Sequence, residues 1–182
     1  WETMCANGAR CAALYMHQYE NKGNKLKFLA GDGVHDVNII DNNIHLKMIN
    51  PKYSSKEIAL LDIKGFHVDS GATHFVVEYP NISNDTVKEL GSNIRYHSIF
   101  KPRGINVNFY EVINPNEINV KTYEKGIEDL MMSCGSGSVA CAYHLAKSNQ
   151  IKSPTIINVL GGKLELKFNA RWDDVWLSGP AE

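Results

Sequence analysis

Apolar and polar residues alternate over short stretches of the chain, and this period-two pattern predicts strands with one buried face. The predicted strands lie around residues 26–28, 34–40, 44–48, 73–79, 105–109, 118–122 and 175–177, with two more meeting at Gly161-Gly162. Three segments instead favour helix: residues 9–19, residues 84–90 with Asn84 as cap and Gly91 at the end, and a segment from Cys134 to about Ser148.

Strands outnumber helices in this pattern and do not alternate regularly with them. We therefore predict an α+β fold of mainly antiparallel strands without βαβ units. The order of elements repeats, because the first and last predicted helices are each followed by a glycine turn, a strand, a polar turn and another strand. The polar turns lie at residues 41–43 and 171–173. We predict two duplicated halves, with a crossing connection at residues 52–55 and domains at residues 1–51 and 52–182.

Composition narrows the class of protein without identifying it. The 182 residues are 43% hydrophobic and 21% charged, with a net charge of -1, which is typical of a soluble globular protein. There is no basic surplus for nucleic-acid binding, and no apolar run approaches the ~18 residues of a membrane span. The chain begins at Trp1 and reaches its first cysteine motif at Cys5. We therefore expect the natural N-terminus to be missing, and any targeting signal with it.

The four cysteines form two pairs, Cys5 with Cys11 and Cys134 with Cys141. The spacing within each pair is wider than that of paired zinc ligands, so we predict no metal site. Four cysteines in a chain of this size are too few for the disulfide framework of a secreted domain. This favours reduced thiols and a cytoplasmic protein. We expect Cys11 and Cys141 to be buried core thiols.

Two similar motifs each begin with a cysteine: residues 5–8 read Cys-Ala-Asn-Gly and residues 134–137 read Cys-Gly-Ser-Gly. Each motif opens a small-residue helix. Unpaired N–H groups and the positive end of the dipole at a helix N-terminus bind anions and lower the pKa of a nearby thiol. Two thiols that face one carbon can remove a proton from one side and return one from the other. The matched pair therefore indicates a cofactor-free racemase rather than two cysteines buried for packing.

The first motif, Met-Cys-Ala-Asn-Gly-Ala-Arg-Cys at residues 4–11, resembles the diaminopimelate epimerase family, whose usual form has Gly in place of Ala6. The resemblance continues through residues 71–74, 105–109, 123–126 and 133–137, and ends at residues 176–182. It spans the whole chain. Two separate cysteine motifs in the expected order make it specific.

This resemblance implies a fold of two pseudo-symmetric domains, each a curved, mostly antiparallel sheet wrapped around a central helix, with the active site between them. It implies a homodimer that uses neither pyridoxal phosphate nor a metal, and whose partner is a small amino-acid substrate rather than nucleic acid or membrane. Relative to the family, about a quarter of the protein at the N-terminus and a final strand are expected to be missing. The chain as given is therefore expected to be a poor enzyme.

The resemblance also implies roles for individual residues. The catalytic residues would be Cys5 and Cys134 as the acid/base thiols, together with His74 and Glu124. The substrate-binding residues would be Asn7, Asn106, Lys125, Gly135 and Ser136.

The sequence departs from the family pattern at several implied site positions. Ala72-Thr73 replaces Asn-Pro before His74, Lys125 replaces Arg, and residues 130–132 replace a Glu-Thr pair. Lysine offers a point charge where arginine offers a bidentate fork for a carboxylate. The resemblance implies epimerisation of LL- and meso-diaminopimelate in lysine biosynthesis. The departures leave two alternatives: a racemase of another amino acid, or a non-catalytic amino-acid-binding homologue.

Overall fold

The computed structural model describes residues 4–41 and 43–181. Within these residues the chain forms three α-helices and a short 3-10 turn at Ser98–Phe100. The helices are α1 (Ala6–Gln18), α2 (Asn84–Arg95) and α3 (Gly135–Lys147). Both cysteine-led segments are therefore helices, as predicted. In the described part of the chain, no helix is long and apolar enough to cross a membrane.

The described residues also form thirteen strands. They are β1 (Lys25–Ala30), β2 (Gly33–Ile40), β3 (Asn43–Lys47), β4 (Lys52–Tyr53), β5 (Ile58–Leu60), β6 (Ile63–Asp69), β7 (Thr73–Glu78), β8 (Asn106–Asn114), β9 (Glu117–Glu124), β10 (Asp129–Met131), β11 (Thr155–Val159), β12 (Gly162–Phe168) and β13 (Val175–Gly179). Every predicted strand overlaps an observed one. Asn42, in the predicted polar turn, and Glu182, at the end of the last matching segment, lie outside the described residues.

The strands join into one curved sheet in the order β1-β2-β3-β13-β12-β11-β9-β8-β7-β6-β4, with β10 paired to β9 and β5 to β6. The predicted duplication is present in the element order, because α1 is followed by the antiparallel strands β1-β2-β3 and α3 by β11-β12-β13. Strand β13 pairs with β3, which makes the sheet continuous between the two units. The division at residue 51 stays a prediction.

Two pairings correct the expectation of a fold without βαβ units. Strands β7 and β8 are parallel with α2 between them in the chain, and β9 and β11 are parallel with α3 between them. The ten other pairings among the described strands are antiparallel, so the α+β class holds. Strand β8 misled the prediction because its first five residues are all buried, including the polar Asn106 and Asn108. Because these asparagines alternate with apolar residues, the sequence predicted a strand with one face exposed to solvent, whereas both faces are buried here.

Helix α2 differs from its prediction at both ends. Ser83 is the N-cap, and its side chain accepts a hydrogen bond from the Thr86 amide. The helix passes through Gly91 and continues to Arg95. A Cβ added at Gly91 would lie 2.5 Å from Cβ of Tyr123. The glycine therefore permits close packing on β9 and does not end the helix.

The predicted crossing at residues 52–55 begins with strand, because Lys52 and Tyr53 pair with β6 as β4. The alternation of apolar and polar residues did not predict β4, β6 or β10 as strands. Strand β6 carries Gly65, His67 and Asp69 among its apolar residues, and the other two are only two and three residues long.

Helix α3 lies at the centre of the larger hydrophobic core. Every residue from Gly135 to Leu145 is buried, whereas α1 buries only Ala6, Arg10 and Ala13. Cys141 is fully buried, as expected, but Cys11 is exposed, so the prediction of a core thiol was wrong there. Cys11 lies on a face of α1 that the other described residues leave uncovered.

Candidate active site

The two motif cysteines occupy equivalent positions in the structure. Cys5 is the N-cap of α1 and Cys134 is the N-cap of α3, both with extended backbone. The Cys5 sulfur accepts a hydrogen bond from the Gly8 amide at 3.4 Å. Both thiols therefore lie beside the unpaired N–H groups of a helix start.

The two helix starts touch one another. The Asn7 amide Nδ2 donates to the Ser133 carbonyl oxygen at 3.2 Å. A Cβ added at Gly135 would lie 2.5 Å from Cβ of Ala6. Ala6 itself is the first residue of α1 and does not have a positive φ, so alanine is tolerated where the family usually has glycine. The two N-termini are thus held in direct contact.

Both cysteines line one cavity of about 930 Å³. The predicted substrate-binding residues also line it, namely Asn7, Asn106, Lys125, Gly135 and Ser136, as does Glu124. His74 does not line the cavity and lies behind Ser136. Sequence reasoning missed Asp69 and Arg103, which belong to the cavity wall.

Neither missed residue gave a signal in the apolar pattern. Arg103 lies in a Pro-Arg-Gly segment between two elements, where charged loop residues beside a rigid scaffold are candidates for binding. That location was the available clue.

His74 belongs to a directed chain of hydrogen bonds. Thr122 Oγ1 donates to Asn108 Oδ1 at 2.8 Å, which fixes the amide so that its Nδ2 donates to His74 Nδ1 at 2.9 Å. The neutral imidazole then carries its proton on Nε2 and donates to Ser136 Oγ at 3.0 Å. The Ser136 hydroxyl in turn lies 3.6 Å from the Cys134 sulfur. The chain links β9, β8 and β7 to the start of α3.

His74 is fully buried, and its burial lowers its pKa to about 3, with positive charge at His67 and Lys125 acting in the same direction. His74 is therefore neutral at ordinary pH. A neutral, fully hydrogen-bonded imidazole orients Ser136 and is not itself titrated during a reaction.

Cys134 contradicts one expectation from the sequence. Its pKa is raised, first by burial and then by the negative charge of Glu124, although the Gly137 amide and the Ser136 hydroxyl act to lower it. We expected the helix N-terminus to lower this pKa. Burial outweighs the N–H groups, because removing an anion from water costs more than one or two hydrogen bonds return. Cys134 is therefore a thiol at neutral pH.

Glu124 lines the cavity together with Cys134, and its negative charge raises the pKa of that thiol. Burial raises the pKa of Glu124, while the thiol and Lys125 lower it. Its second oxygen, Oε2, is buried without a hydrogen-bond partner among the described residues. A proton donor arriving in the cavity would satisfy this oxygen.

Arg10 supports the first motif from behind, a role that the sequence did not suggest. Its side chain is buried, and Nη2 donates to Asn7 Oδ1 at 3.0 Å. Because the Asn7 amide nitrogen also binds Ser133, both ends of this side chain are fixed. Across residues 4–41 and 43–181, no group of three His, Cys, Asp or Glu side chains is arranged to hold a metal ion.

The fold is similar to that of solved structures with low sequence identity to this chain. A probable proline racemase from Agrobacterium radiobacter K84 has a TM-score of 0.73 and 13% sequence identity, over 97% of this chain and 64% of that one. The two chains share an α+β fold over most of the length of this chain.

The sequence comparison identifies the family within that class. The family model for diaminopimelate epimerase matches residues 66–181. Diaminopimelate epimerase from Flavobacterium psychrophilum is 37% identical over 185 residues, covering 99% of this chain and 70% of that protein. The Aquifex aeolicus enzyme of the same name is 33% identical over 184 residues, covering 97% and 66%. The chain belongs to the diaminopimelate epimerase family of isomerases, and it spans about two thirds of the length of these relatives.

Proposed function

We propose that the protein carrying this chain is a diaminopimelate epimerase that interconverts the LL- and meso-forms by two-thiol acid/base chemistry, without pyridoxal phosphate. The observation that carries the proposal is that Cys5 and Cys134, at equivalent helix N-termini, line the same cavity. The proposal includes the cytoplasm as the location, lysine biosynthesis as the pathway and a homodimer as the assembly.

The helix starts supply the site for the α-carboxylate. The N–H groups that follow Cys5 and Cys134 converge on the cavity, and their partial positive charge favours an anion there. The same groups stabilise the negative charge that spreads onto the carboxylate when the α-proton leaves.

The two thiols then exchange one proton each with the reacting carbon. Because Cys134 holds its proton at neutral pH, we assign Cys134 as the acid of the first half-reaction and Cys5 as the base that removes the α-proton. Cys134 donates its proton to the opposite face of the carbanion, and the configuration inverts. The site is left with a thiol at Cys5 and a thiolate at Cys134, ready for the reverse direction.

Glu124 and His74 act on Cys134 in different ways. The negative charge of Glu124 raises the pKa of Cys134 and keeps the resting thiol protonated. His74 holds the Ser136 hydroxyl beside the same sulfur, where it can donate to the thiolate that forms. We assign His74 as a positioning residue.

A second candidate function is a racemase of another amino acid. It is favoured by the location of the residues that depart from the family pattern, because Ala72, Lys125 and Met131 all line the cavity. Changes at the cavity wall alter which side chain fits without touching the thiols.

The test is exchange of the α-proton for solvent deuterium, followed by nuclear magnetic resonance and chiral separation over a panel of amino acids. We expect rapid exchange and inversion of LL- and meso-diaminopimelate with reductant present, and no loss of activity in a metal chelator. Turnover of a different amino acid alone would select the second candidate. Tight binding of diaminopimelate without any exchange would indicate a non-catalytic binding protein.

A further inference from the structure

The two cysteine-led helices differ at one buried position. Five residues after the cysteine, α1 carries Arg10 and α3 carries Val139. Arg10 is only 5% exposed and Val139 is fully buried. The duplicated frame therefore holds a positive charge behind one thiol and an aliphatic side chain behind the other. A buried cation is costly unless an anion or several hydrogen-bond acceptors compensate for it.

Arg10 has few groups that compensate for its charge. Nη2 donates to Asn7 Oδ1 at 3.0 Å and Nη1 to the Ala6 carbonyl at 3.4 Å, whereas Nε is buried without a hydrogen-bond partner among the described residues. Across residues 4–41 and 43–181, no acidic side chain forms an ion pair with Arg10. The guanidinium thus lacks a permanent counter-charge in this part of the chain.

The guanidinium lies at the level of the first turn of α1. Its two hydrogen bonds reach back to Ala6 and Asn7, the residues that follow Cys5. Burial lowers the pKa of Arg10, whereas negative charge at Cys11 and at Cys5 raises it. A thiolate at Cys5 and the Arg10 guanidinium therefore stabilise one another.

Other ionisable groups surround the two helix starts. Those that line the cavity together with Cys5 in the described part of the chain are Asp69, Arg103, Glu124, Lys125 and Cys134. The first four carry two formal charges of each sign, and Cys134 holds its proton. Strand β13 approaches Arg10 at Gly179 and contains no ionisable residue. On β2, His35 is bonded to Asp32.

We propose that Arg10 makes Cys5 the base of the site, because its buried positive charge stabilises the thiolate while its hydrogen bond holds Asn7 in place. This inference rests on the proposed function, in which Cys5 removes the α-proton and Cys134 supplies one. Arg10 does not line the cavity, so it acts through Cys5 and Asn7 as a positioning residue. Val139 gives Cys134 no such charge.

The test measures the thiolate at Cys5 without turnover, in the whole protein that carries this chain. Alkylation of Cys5 by iodoacetamide is followed against pH by mass spectrometry, in a Cys11→Ser background that removes the exposed thiol next to Arg10. Arg10→Gln removes the charge but keeps a donor for Asn7. In this variant the pH of half-maximal alkylation should rise by about half a unit or more. Arg10→Lys keeps the charge and should retain the wild-type value.

Turnover separates this electrostatic role from a merely structural one. In Arg10→Gln, kcat/KM should fall at pH 7 by about 3-fold or more and recover toward the wild-type value at pH 9, because the thiolate returns as pH rises. A structural defect would lower kcat/KM equally at both pH values. Arg10→Lys should instead raise KM with an unchanged pH profile, because it keeps the charge and loses the fork that holds Asn7.

The matched control is Arg171→Gln, at an exposed arginine outside the cavity, which should change neither measurement. A wild-type pH of half-maximal alkylation in folded Arg10→Gln overturns the assignment and leaves the proposed function standing. Arg10→Met, which is also neutral, takes its place if Arg10→Gln does not fold. Absence of turnover in the wild type overturns the proposed function alone, and the alkylation shift still decides whether Arg10 stabilises the thiolate.

Discussion

His74 does not line the cavity and is connected to it by a hydrogen bond to Ser136. Its ring nitrogens are both committed, one accepting from Asn108 and the other donating to Ser136. Burial keeps the ring neutral. The consequence is a fixed direction for every hydrogen bond from Thr122 to the Cys134 sulfur, and such directed chains strengthen their members.

This arrangement predicts an acid sensitivity of folding. The folded pKa of His74, about 3, lies below the unfolded value of 6.5. Between these values the unfolded chain binds a proton that the folded chain does not, so stability is lost as pH falls below about 6.5. The slope from this group reaches at most about 1.4 kcal/mol per pH unit.

His74→Gln should lower kcat by about 10-fold, because the hydrogen bond that orients the Ser136 hydroxyl is lost. It should also flatten the fall in the free energy of unfolding between pH 7 and pH 4.5, measured by urea titration. Parallel pH dependences for wild type and variant would contradict a buried neutral histidine.

Among individual residues, the sequence identified those that belong to a local motif. It did not indicate properties that depend on burial in the folded chain. Cys5, Asn7 and Cys134 were visible because a cysteine and small residues at a helix start have a local signature. The raised pKa of Cys134 was not visible, since it depends on Glu124 and on burial by distant elements. Arg10 and Arg103 were missed because their places at the site depend on tertiary contacts.

At the scale of elements, the start of α3 is pressed onto β8. A Cβ added at Gly137 would overlap the Asn108 amide and lie 3.3 Å from the Cys134 sulfur. Position 137 therefore has no room for a side chain. Its backbone lies between the Cys134 sulfur and Asn108, which belongs to the hydrogen-bonded chain.

Gly137→Ala should displace Asn108 and cost about 1–3 kcal/mol of stability, as other overpacking substitutions do. Activity should fall further than stability alone explains, since Asn108 orients His74. The measurements are thermal unfolding and turnover. Gly23→Ala is the control, because no atom lies within 4 Å of a Cβ there. Equal activity for the two variants would show that this contact does not support the site.

The alternation of residues was enough to locate most strands, but it did not determine how they pair. Strand β8 is parallel to β7, and β9 is parallel to β11, because a helix crosses over between the two strands of each pair. A period-two pattern carries no information about the direction in which neighbouring strands run. Gly91 was mistaken for a helix end because its packing partner, Tyr123, is distant in sequence.

Over the whole molecule, the repeat of one helix and three strands brings two helix N-termini together. The duplicated order was readable in the sequence, whereas the joining of the units through β3 and β13 was not. The two thiols nevertheless have different surroundings. Cys5 is exposed, whereas Cys134 is partly covered and its pKa is raised by burial and by the negative charge of Glu124. The duplicated frame therefore holds two cysteines in unlike surroundings.

The most direct test of this account replaces one thiol at a time and follows the α-proton of each stereoisomer in deuterated water. Cys5→Ser and Cys134→Ser should each reduce interconversion by at least about 100-fold, the usual scale for an acid/base group. Each variant should retain slow exchange from only one stereoisomer, and the two should retain opposite ones. Cys11→Ser, in the same helix as Cys5, should behave as wild type. Interconversion at the wild-type rate in either single variant would contradict a mechanism in which the two thiols act from opposite faces of one carbon.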